Sequence, residues 1–298
     1  MTNLCFFTPN NMKELRQCLS MADESTRFIA GGTDLVIKLR KSSNKHWKLI
    51  DLSGMTELKY IKEDENFIRI GACTTFANIA SDPVIKRYGR CLSLAASEVG
   101  SVQIRNRATI AGNIANASPA ADSLAPLSML GAKALLMDRQ GNKTVCGIDS
   151  LISGVGKNNL DVGQIILEVF FPANKDVVSS FVKLGSRKKV SISRLNIALA
   201  AEYSNGDQKL KNVNVAVGAV GPGPMSAAKS ASLLDGRNIS KEVIESFSES
   251  LAQEVEEAIK GRSSMPYKRK AVMGLGKDLL DDLLSYISAL EREECYDR

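Results

Sequence analysis

The sequence predicts a chain of the α+β class, and three patterns lead to this expectation. Short apolar stretches such as RFIA and NFIRI are typical of strands, and helical segments separate them. The segment from Leu195 to Val220 predicts antiparallel strands, with Asn205-Gly206 as a hairpin turn. Beyond it, apolar residues recur at helical spacing and form one stripe: Val243, Phe247, Leu251, Val255 and Ile259.

Length and composition limit the number of domains and the class of protein. The chain has 298 residues, which exceeds the usual size of one domain, so two or three are expected. The segment PANKDVVSS, which begins at Pro172, is the best candidate for a domain junction. A hydrophobic fraction of 44% and a charged fraction of 24% are typical of a globular protein, and no apolar run is long enough to cross a membrane. The first residues lack the pattern of a signal peptide, so a cytoplasmic location is expected.

Charge, cysteine and histidine content argue against several functions. The net charge of +6 is mild and no nucleic-acid motif accompanies it, so we expect no nucleic-acid partner. The basic run Arg187-Lys188-Lys189 predicts a solvated face, although a patch facing an anionic cofactor or a partner subunit stays open. The six cysteines form no C-x-x-C pair, and His46 is the only histidine. We therefore expect reduced thiols, no metal site and no Ser–His–Asp triad.

Local signals predict the elements of the first half in order. Asn11 and Glu14 resemble a capping box at the start of a helix. RFIAGG is typical of a strand that ends in glycines, DLVIKLRK of the next helix, and WKLIDLSG and NFIRIGACTT of further strands. Thr75 is a candidate N-cap, and GRCLSLAASEVG predicts a helix of small residues.

The middle and the end of the chain carry weaker signals. The stretch from Ser101 to Pro126 follows neither period and predicts an ordered loop. AKALLMDRQGNKTV predicts a hairpin around Gly141, QIILEVFFP a strand that Pro172 ends, and GPGPMSA a loop. The segment KDLLDDLLSYISALE predicts a closing helix.

The turn at Gly31-Gly32 is the first candidate site. A strand, two glycines and a helix start form an arrangement that points main-chain N–H groups at an anion. The sequence matches neither the nucleoside-triphosphate loop nor the dinucleotide fingerprint. Taken alone, it also fits a turn that binds no ligand.

The segment SVQIRNRATIAGNIANASPAAD, from Ser101 to Asp122, is the second candidate site. A long non-periodic segment inside a compact domain is usually functional or disordered. Its small side chains allow the close approach of a planar ligand, and its asparagines and main-chain N–H groups can satisfy a polar edge.

Together the two segments resemble the FAD-binding subunit of the molybdenum hydroxylase family, which includes xanthine dehydrogenase. AGGTDL, from Ala30 to Leu35, is similar to the first FAD loop of that family, and QIRNRATIAGNI followed by ASPAAD is similar to the second. EVFFP, SFVKLGSR and the helical end extend the resemblance over essentially the whole chain. The family often has two glycines before Asn113, and Ala111 takes the first place here. We expect this methyl group to shift the loop slightly without abolishing binding.

The resemblance implies a fold and a set of contacts with FAD. The fold would be a two-part FAD-binding domain of the vanillyl-alcohol oxidase/p-cresol methylhydroxylase type, in residues 1–60 and 61–175. An α+β domain with a small antiparallel sheet and helices would follow in residues 176–298. By resemblance, the cofactor-binding residues are Phe28, Ile29, Ala30, Gly31, Gly32, Thr33, Asp34, Leu35, Ser101, Thr109, Ile110, Ala111, Gly112, Asn113, Asp122, Ile165, Ile166 and Lys183.

The resemblance also implies roles for these groups. The N–H groups from Ala30 to Asp34 would wrap the pyrophosphate, and Thr109 to Asn113 would line its other side and the ribityl chain. Asp122 would accept from a ribose or adenine group, cap the helix DSLAPLSML, or do both.

Ile165 and Ile166, adjacent residues of one predicted strand, would pack on the cofactor or would belong only to the hydrophobic core of the sheet. Lys183 would lie near the isoalloxazine, where a cation favours the anionic reduced flavin, or would be a solvated surface lysine. No catalytic acid, base or nucleophile is expected in this chain, because the flavin performs the chemistry.

The implied function is electron transfer in a multi-subunit molybdopterin-dependent dehydrogenase or hydroxylase. Electrons would pass from a molybdenum-pterin cofactor on a large subunit, through [2Fe-2S] clusters on a small subunit, to FAD and then to NAD(P)+. The complex would hydroxylate a purine such as xanthine, or another N-heterocycle such as nicotinate. It would assemble as a dimer of heterotrimers or similarly.

Two other functions remain compatible with the glycine-bearing loops. One is a stand-alone FAD-dependent reductase of the same cofactor fold, which would need its own acid and substrate pocket; the sequence has no clear candidate for either. The other is a non-catalytic module that binds a different phosphate.

Overall fold

A computed structural model describes residues 5–42, 46–187, 190–204 and 209–296 of the chain. Helices and strands form three main sheets that follow one another along the sequence. The predicted turn at Asn205-Gly206 and the basic pair Lys188-Lys189 lie outside the described residues.

The first part is a small parallel sheet with strand order β1-β3-β2. Its elements are β1 (Cys5–Phe7), α1 (Met12–Ser20), β2 (Thr26–Ile29), α2 (Leu35–Lys41) and β3 (Lys48–Asp51). The predicted N-cap is confirmed, because the Glu14 N–H donates to Asn11 Oδ1 at 3.0 Å. The Glu14 carboxylate accepts from the Asn11 side-chain amide and from the Asn10 N–H, both at 2.8 Å, rather than from the Asn11 N–H of a standard capping box. The strand RFIA and the helix that follows the two glycines are confirmed as well.

The second part is a five-stranded antiparallel sheet with order β4-β5-β10-β6-β7. Its strands are β4 (Ile61–Glu63), β5 (Phe67–Gly71), β6 (Lys133–Met137), β7 (Lys143–Gly147) and β10 (Ile165–Pro172). A separate two-stranded hairpin, β8 (Ile152–Gly154) and β9 (Lys157–Asn158), lies between β7 and β10 in the sequence. The hairpin around Gly141, whose φ is +86°, and the strand that ends at Pro172 are confirmed.

Six short helices lie between β5 and β6: α3 (Phe76–Ser81), α4 (Pro83–Tyr88), α5 (Arg90–Glu98), α6 (Val102–Arg105), α7 (Ile110–Asn116) and α8 (Leu124–Met129). The predicted loop from Ser101 to Pro126 is therefore wrong. Ser101 and Thr109 cap α6 and α7, and burial of Ile110 and Ile114 stabilises the latter helix. Helices this short contain too few turns to show a hydrophobic period.

The third part is a four-stranded antiparallel sheet with helices on one side. Its elements are β11 (Val177–Gly185), β12 (Ser193–Ser204), β13 (Lys209–Gly218), β14 (Met225–Ser226), α9 (Ala228–Ser232), α10 (Lys241–Ala258) and α11 (Met265–Tyr296). The predicted loop GPGPMSA contains β14, because Met225 and Ser226 pair with β13. Along β12, Ile197 and Leu199 pack in the core with α10 and α11, whereas Ala198 packs in the core of the second part. The third sheet is thus buried on both faces.

A charged contact ties α11 to the second part. Arg90 donates from both terminal nitrogens to Asp282, at 2.6 and 3.0 Å, and Ser180 Oγ of β11 donates to the same carboxylate at 2.5 Å. Burial raises the pKa of Asp282, but the hydrogen bonds from Arg90 and Ser180 outweigh it and hold this pKa below its ordinary value. The ionised carboxylate therefore stabilises the folded state.

We expect Asp282→Asn to lower the free energy of unfolding at pH 7 by about 1 kcal/mol. This loss is at the low end of the range for hydrogen bonds to charged groups, because the Asp282 side chain is 35% exposed. A carboxyl group whose pKa is lower in the folded state stabilises that state at pH values above its ordinary pKa. This contribution disappears as the pH falls through the lowered pKa. Urea unfolding at neutral and acidic pH measures the difference, which should shrink in acid. The exposed neighbour Asp281→Asn is the control, and an equal loss in both variants would contradict the assignment.

Candidate functional site

A cleft of about 580 Å³ lies between the first sheet and the helices of the second part. Its walls come from the loop after β2, the start of α7, and the segment that leads from β9 into β10. This volume is within the range of small-molecule and cofactor sites. Gly32 and Gly112, the central residues of the two predicted loops, both line it.

Gly31 brings the two loops into direct contact. A Cβ at this position would overlap the carbonyl oxygen of Arg107 and would lie 2.9 Å from the Cα of Ala108. Because the obstacle is main chain rather than a flexible side chain, it cannot move aside. Only glycine lets the first loop pack on the second.

The first loop has a row of main-chain donors without protein acceptors. Gly32 has a φ of +72°, a left-handed conformation that favours glycine and turns the chain towards α2. Among the described residues, no hydrogen bond joins the N–H groups from Gly31 to Leu35 to a protein acceptor, and the Asp34 side chain does not cap α2. Consecutive unpaired N–H groups beside a cleft provide the chemistry that an anion requires.

The second loop contributes differently. The N–H groups of Ile110 and Ala111 donate to the carbonyls of Thr74 and Ala72, at 3.1 and 3.3 Å, and the next two N–H groups donate to Thr109. The first turn of α7 therefore has its donors satisfied within the protein. Its contributions to the cleft are close approach at Gly112 and the side chain of Asn113, whose Oδ1 accepts from Ser123 at 2.7 Å while its amide nitrogen can serve a ligand.

Most of the predicted contact residues line the cleft: Phe28, Ala30, Gly31, Gly32, Thr33, Asp34, Leu35, Thr109, Ala111, Gly112, Asn113, Ile165 and Ile166. Three others are not part of its lining. Ile29 is in β2, Ser101 caps α6, and Ile110 is fully buried in the core of the second part.

Asp122 and Lys183 lie outside the lining and bind each other. Their ion pair spans 2.6 Å, with side chains only 7% and 6% exposed, and Ser193 and Asn196 also donate to Asp122. The prediction that Asp122 caps α8 is wrong, because the cap position is Ser123 and the carboxylate is already engaged. Lys183 is likewise not a solvated surface residue. Burial raises the pKa of Asp122, and the Lys183 charge opposes that rise.

Several lining residues escaped the sequence analysis: Asp23, Glu24, Lys38, Cys73, Asn158 and the turn from Asp161 to Gln164. Asn116, an asparagine of the second candidate segment, also lines the cleft, and helical spacing could have identified Lys38, four residues after Asp34. The others come from distant loops and carry no local signal. Cys73 forms an apolar wall, since burial raises the pKa of its thiol to about 11.

Two classes of feature are absent from the part of the chain that the structure describes. No three His, Cys, Asp or Glu side chains gather there as a metal site would require. No described helix combines the length and apolar character needed to cross a bilayer.

Comparison with known protein families matches nearly the whole chain. Residues 2–174 match the model described as the FAD binding domain in molybdopterin dehydrogenase. Residues 180–283 match the CO dehydrogenase flavoprotein C-terminal domain.

Individual proteins agree with these matches. The nicotinate dehydrogenase FAD-subunit of Eubacterium barkeri is 32% identical over 287 residues, covering 95% of this chain and 96% of that one. The putative xanthine dehydrogenase FAD-binding subunit of Escherichia coli K12 is 27% identical, covering 87% and 89%. A carbon monoxide dehydrogenase structure from Hydrogenophaga pseudoflava shares the fold, with a TM-score of 0.82 and 24% identity over 95% of this chain and 97% of that one. The chain therefore belongs to the FAD-binding subunits of the molybdopterin-dependent dehydrogenases and is an oxidoreductase subunit with an FAD-binding domain.

Proposed function

We propose that FAD lies in the cleft with its diphosphate between the loop from Ala30 to Leu35 and the start of α7. The observation that carries this proposal is the row of unpaired N–H groups in the first loop, placed where Gly31 packs on the main chain of the second. Donors and glycines of this kind fit a diphosphate, because the main chain can approach the anion closely.

The chain's own residues would hold the cofactor in three ways. The main-chain N–H groups from Ala30 to Asp34 would bind the diphosphate, and the Asn113 amide would donate from the opposite wall. Ile165 and Ile166, buried at the start of β10, would pack against it. A contact of Asp122 with a ribose or adenine group of FAD, and a place for Lys183 near the isoalloxazine, stay predictions.

The subunit would relay electrons within a larger enzyme. Bound FAD supplies the ability to take up and release electrons one or two at a time. We propose that a large subunit holds the molybdenum-pterin cofactor, that a small subunit holds [2Fe-2S] clusters, and that NAD(P)+ is the final acceptor. Support comes from the relatives, which are named as FAD subunits of nicotinate and xanthine dehydrogenases and as the medium chain of carbon monoxide dehydrogenase.

The finer description of fold and assembly is part of the same proposal. The first two sheets would form a two-part FAD domain of the vanillyl-alcohol oxidase type in residues 1–60 and 61–175, and the third sheet would form the domain in residues 176–298. The three sheets lie within these ranges, which supports the boundaries. A cytoplasmic dimer of heterotrimers, acting on a purine or on nicotinate, completes the proposal.

Purification of the native complex tests the electron-transfer role. We expect the chain to co-purify with a molybdenum-containing and an iron–sulfur subunit, and we expect xanthine or nicotinate to reduce its flavin. Metal analysis, flavin spectra and comparison of NAD+ with NADP+ provide the measurements. An isolated chain that turns over substrate with NADPH by itself would instead support a stand-alone reductase.

A second test addresses the first loop. Gly32→Ala places a methyl group at a φ of +72°, where the turn presents its N–H groups, and Gly131→Ala imposes similar strain at +61° outside the cleft. Both changes should cost roughly 1 kcal/mol of unfolding free energy. We expect Gly32→Ala alone to weaken FAD binding, by about tenfold or more, as measured by flavin content and FAD titration.

Equal FAD affinity in the two glycine variants would contradict the placement of the diphosphate at the first loop. If the wild-type chain shows no flavin absorbance and takes up no added FAD, the alternative function is favoured, namely a non-catalytic module that binds another phosphate.

A further inference from the structure

Lys38 and Asn116 form a bridge across the cleft. Lys38 lies on α2, Asn116 is the last residue of α7, and both line the cavity. The Lys38 ammonium donates to Asn116 Oδ1 over 2.6 Å. The two walls of the cleft are therefore joined by a lysine beyond the first predicted loop and an asparagine near the end of the second candidate segment.

Helix geometry relates each member of this bridge to the loop that precedes its helix. Lys38 follows Asp34 by four residues and Asn116 follows Gly112 by four, so each member shares a helix face with the loop beside it. Side chains on a helix lean towards its amino-terminal end, which is where both loops meet their helices. The Lys38 side chain therefore leans towards the first loop, and Lys38, Gly32 and Gly112 all line the same cavity.

The charge of Lys38 is not neutralised by the protein. Its hydrogen-bond partner is a neutral amide, and within the described residues no carboxylate lies within 4.0 Å of its ammonium. The other cation of the lining, Arg27, donates to the carbonyls of Glu24 and Thr26 and stacks on Trp47 at 4.4 Å. Lys38 is therefore the lining cation that remains available for an anion.

The cleft needs such a cation if it is to hold a diphosphate. Four carboxylates line it, Asp23, Glu24, Asp34 and Asp161, and of these Asp23 is paired with Lys48 at 2.5 Å. Their negative charge disfavours a second anion, and main-chain N–H groups provide only partial positive charge. A lysine ammonium provides a full charge and is a common partner of phosphate.

Hydrogen bonds to the main chain on either side of Asn116 hold this residue in place. The carbonyl of Ala115 accepts a hydrogen bond of 2.6 Å from the Asn158 amide, and the carbonyl of Ala117 accepts one of 2.9 Å from the Gly156 N–H. These contacts anchor the end of α7 to the β8–β9 hairpin. Asn116 can therefore orient the flexible lysine without neutralising its charge.

We propose that Lys38 binds the diphosphate of FAD through its ammonium and that Asn116 is the residue that positions it. This inference rests on the proposed placement of FAD between the two loops. It adds a cation to a site otherwise built from main-chain donors and amides.

The test uses the full-length chain freed of flavin and titrated with FAD, followed by flavin fluorescence. At low ionic strength Lys38→Met should weaken FAD binding on the order of ten- to a hundredfold, the range for a hydrogen bond to a charged group. Lys38→Arg should keep most of the affinity. Lys41→Met, an exposed lysine of the same helix outside the lining, is the matched control and should change nothing.

Two further measurements distinguish an electrostatic role of Lys38 from a structural one. They are the salt dependence of FAD binding and the binding of a ligand without phosphate. Added salt should weaken wild-type binding more than that of Lys38→Met, because salt screens an ion pair. Asn116→Ala should lose less affinity than Lys38→Met and keep the salt dependence. Riboflavin, which has no phosphate, should bind wild type and Lys38→Met equally.

Three results would overturn the assignment. These are wild-type FAD affinity in Lys38→Met, an unchanged salt dependence in that variant, and a parallel loss of riboflavin and FAD, which would indicate a structural role. Failure of the wild-type chain to bind FAD at all would overturn the proposed function itself, so the two failures are distinguishable.

Discussion

The contact between Gly31 and the main chain of Arg107 and Ala108 shapes the cleft of this protein. It joins the small parallel sheet to the antiparallel sheet and its helices, and the cleft opens along the line where they meet. A side chain at Gly31 would force the two loops apart by the width of a methyl group. The geometry of the cleft therefore depends on the absence of one carbon atom.

The two sides of the cleft have different chemical roles. The first loop provides unpaired main-chain donors, whereas the donors at the start of α7 are used to attach that helix to the carbonyls of Ala72 and Thr74. The second loop is consequently a rigid wall rather than a second row of donors. Ala111 belongs to this wall, because its N–H donates to the Ala72 carbonyl and its side chain is buried at 8% exposure.

The third sheet packs on the helices of the second part and stabilises them. Small side chains such as Ala198 let it pack on the helices of the second part, and the buried pair of Asp122 and Lys183 links the same two regions. A buried ion pair is costly unless it is fully hydrogen-bonded, and Ser193, Asn196 and the Glu98 carbonyl complete this one.

The sequence by itself determined the class of fold, the order of most elements and the two loops that share the cleft, because glycine turns, caps and hydrophobic periods are local signals. It could not show the helices between Ser101 and Pro126, which are too short for a period and form because capping and burial stabilise them. Only the tertiary structure decided that Asp122 binds Lys183 rather than capping a helix, and that Lys38 reaches Asn116. Such contacts join residues far apart in the chain, and the packing of separate sheets, rather than any local pattern, brings their side chains within hydrogen-bonding distance.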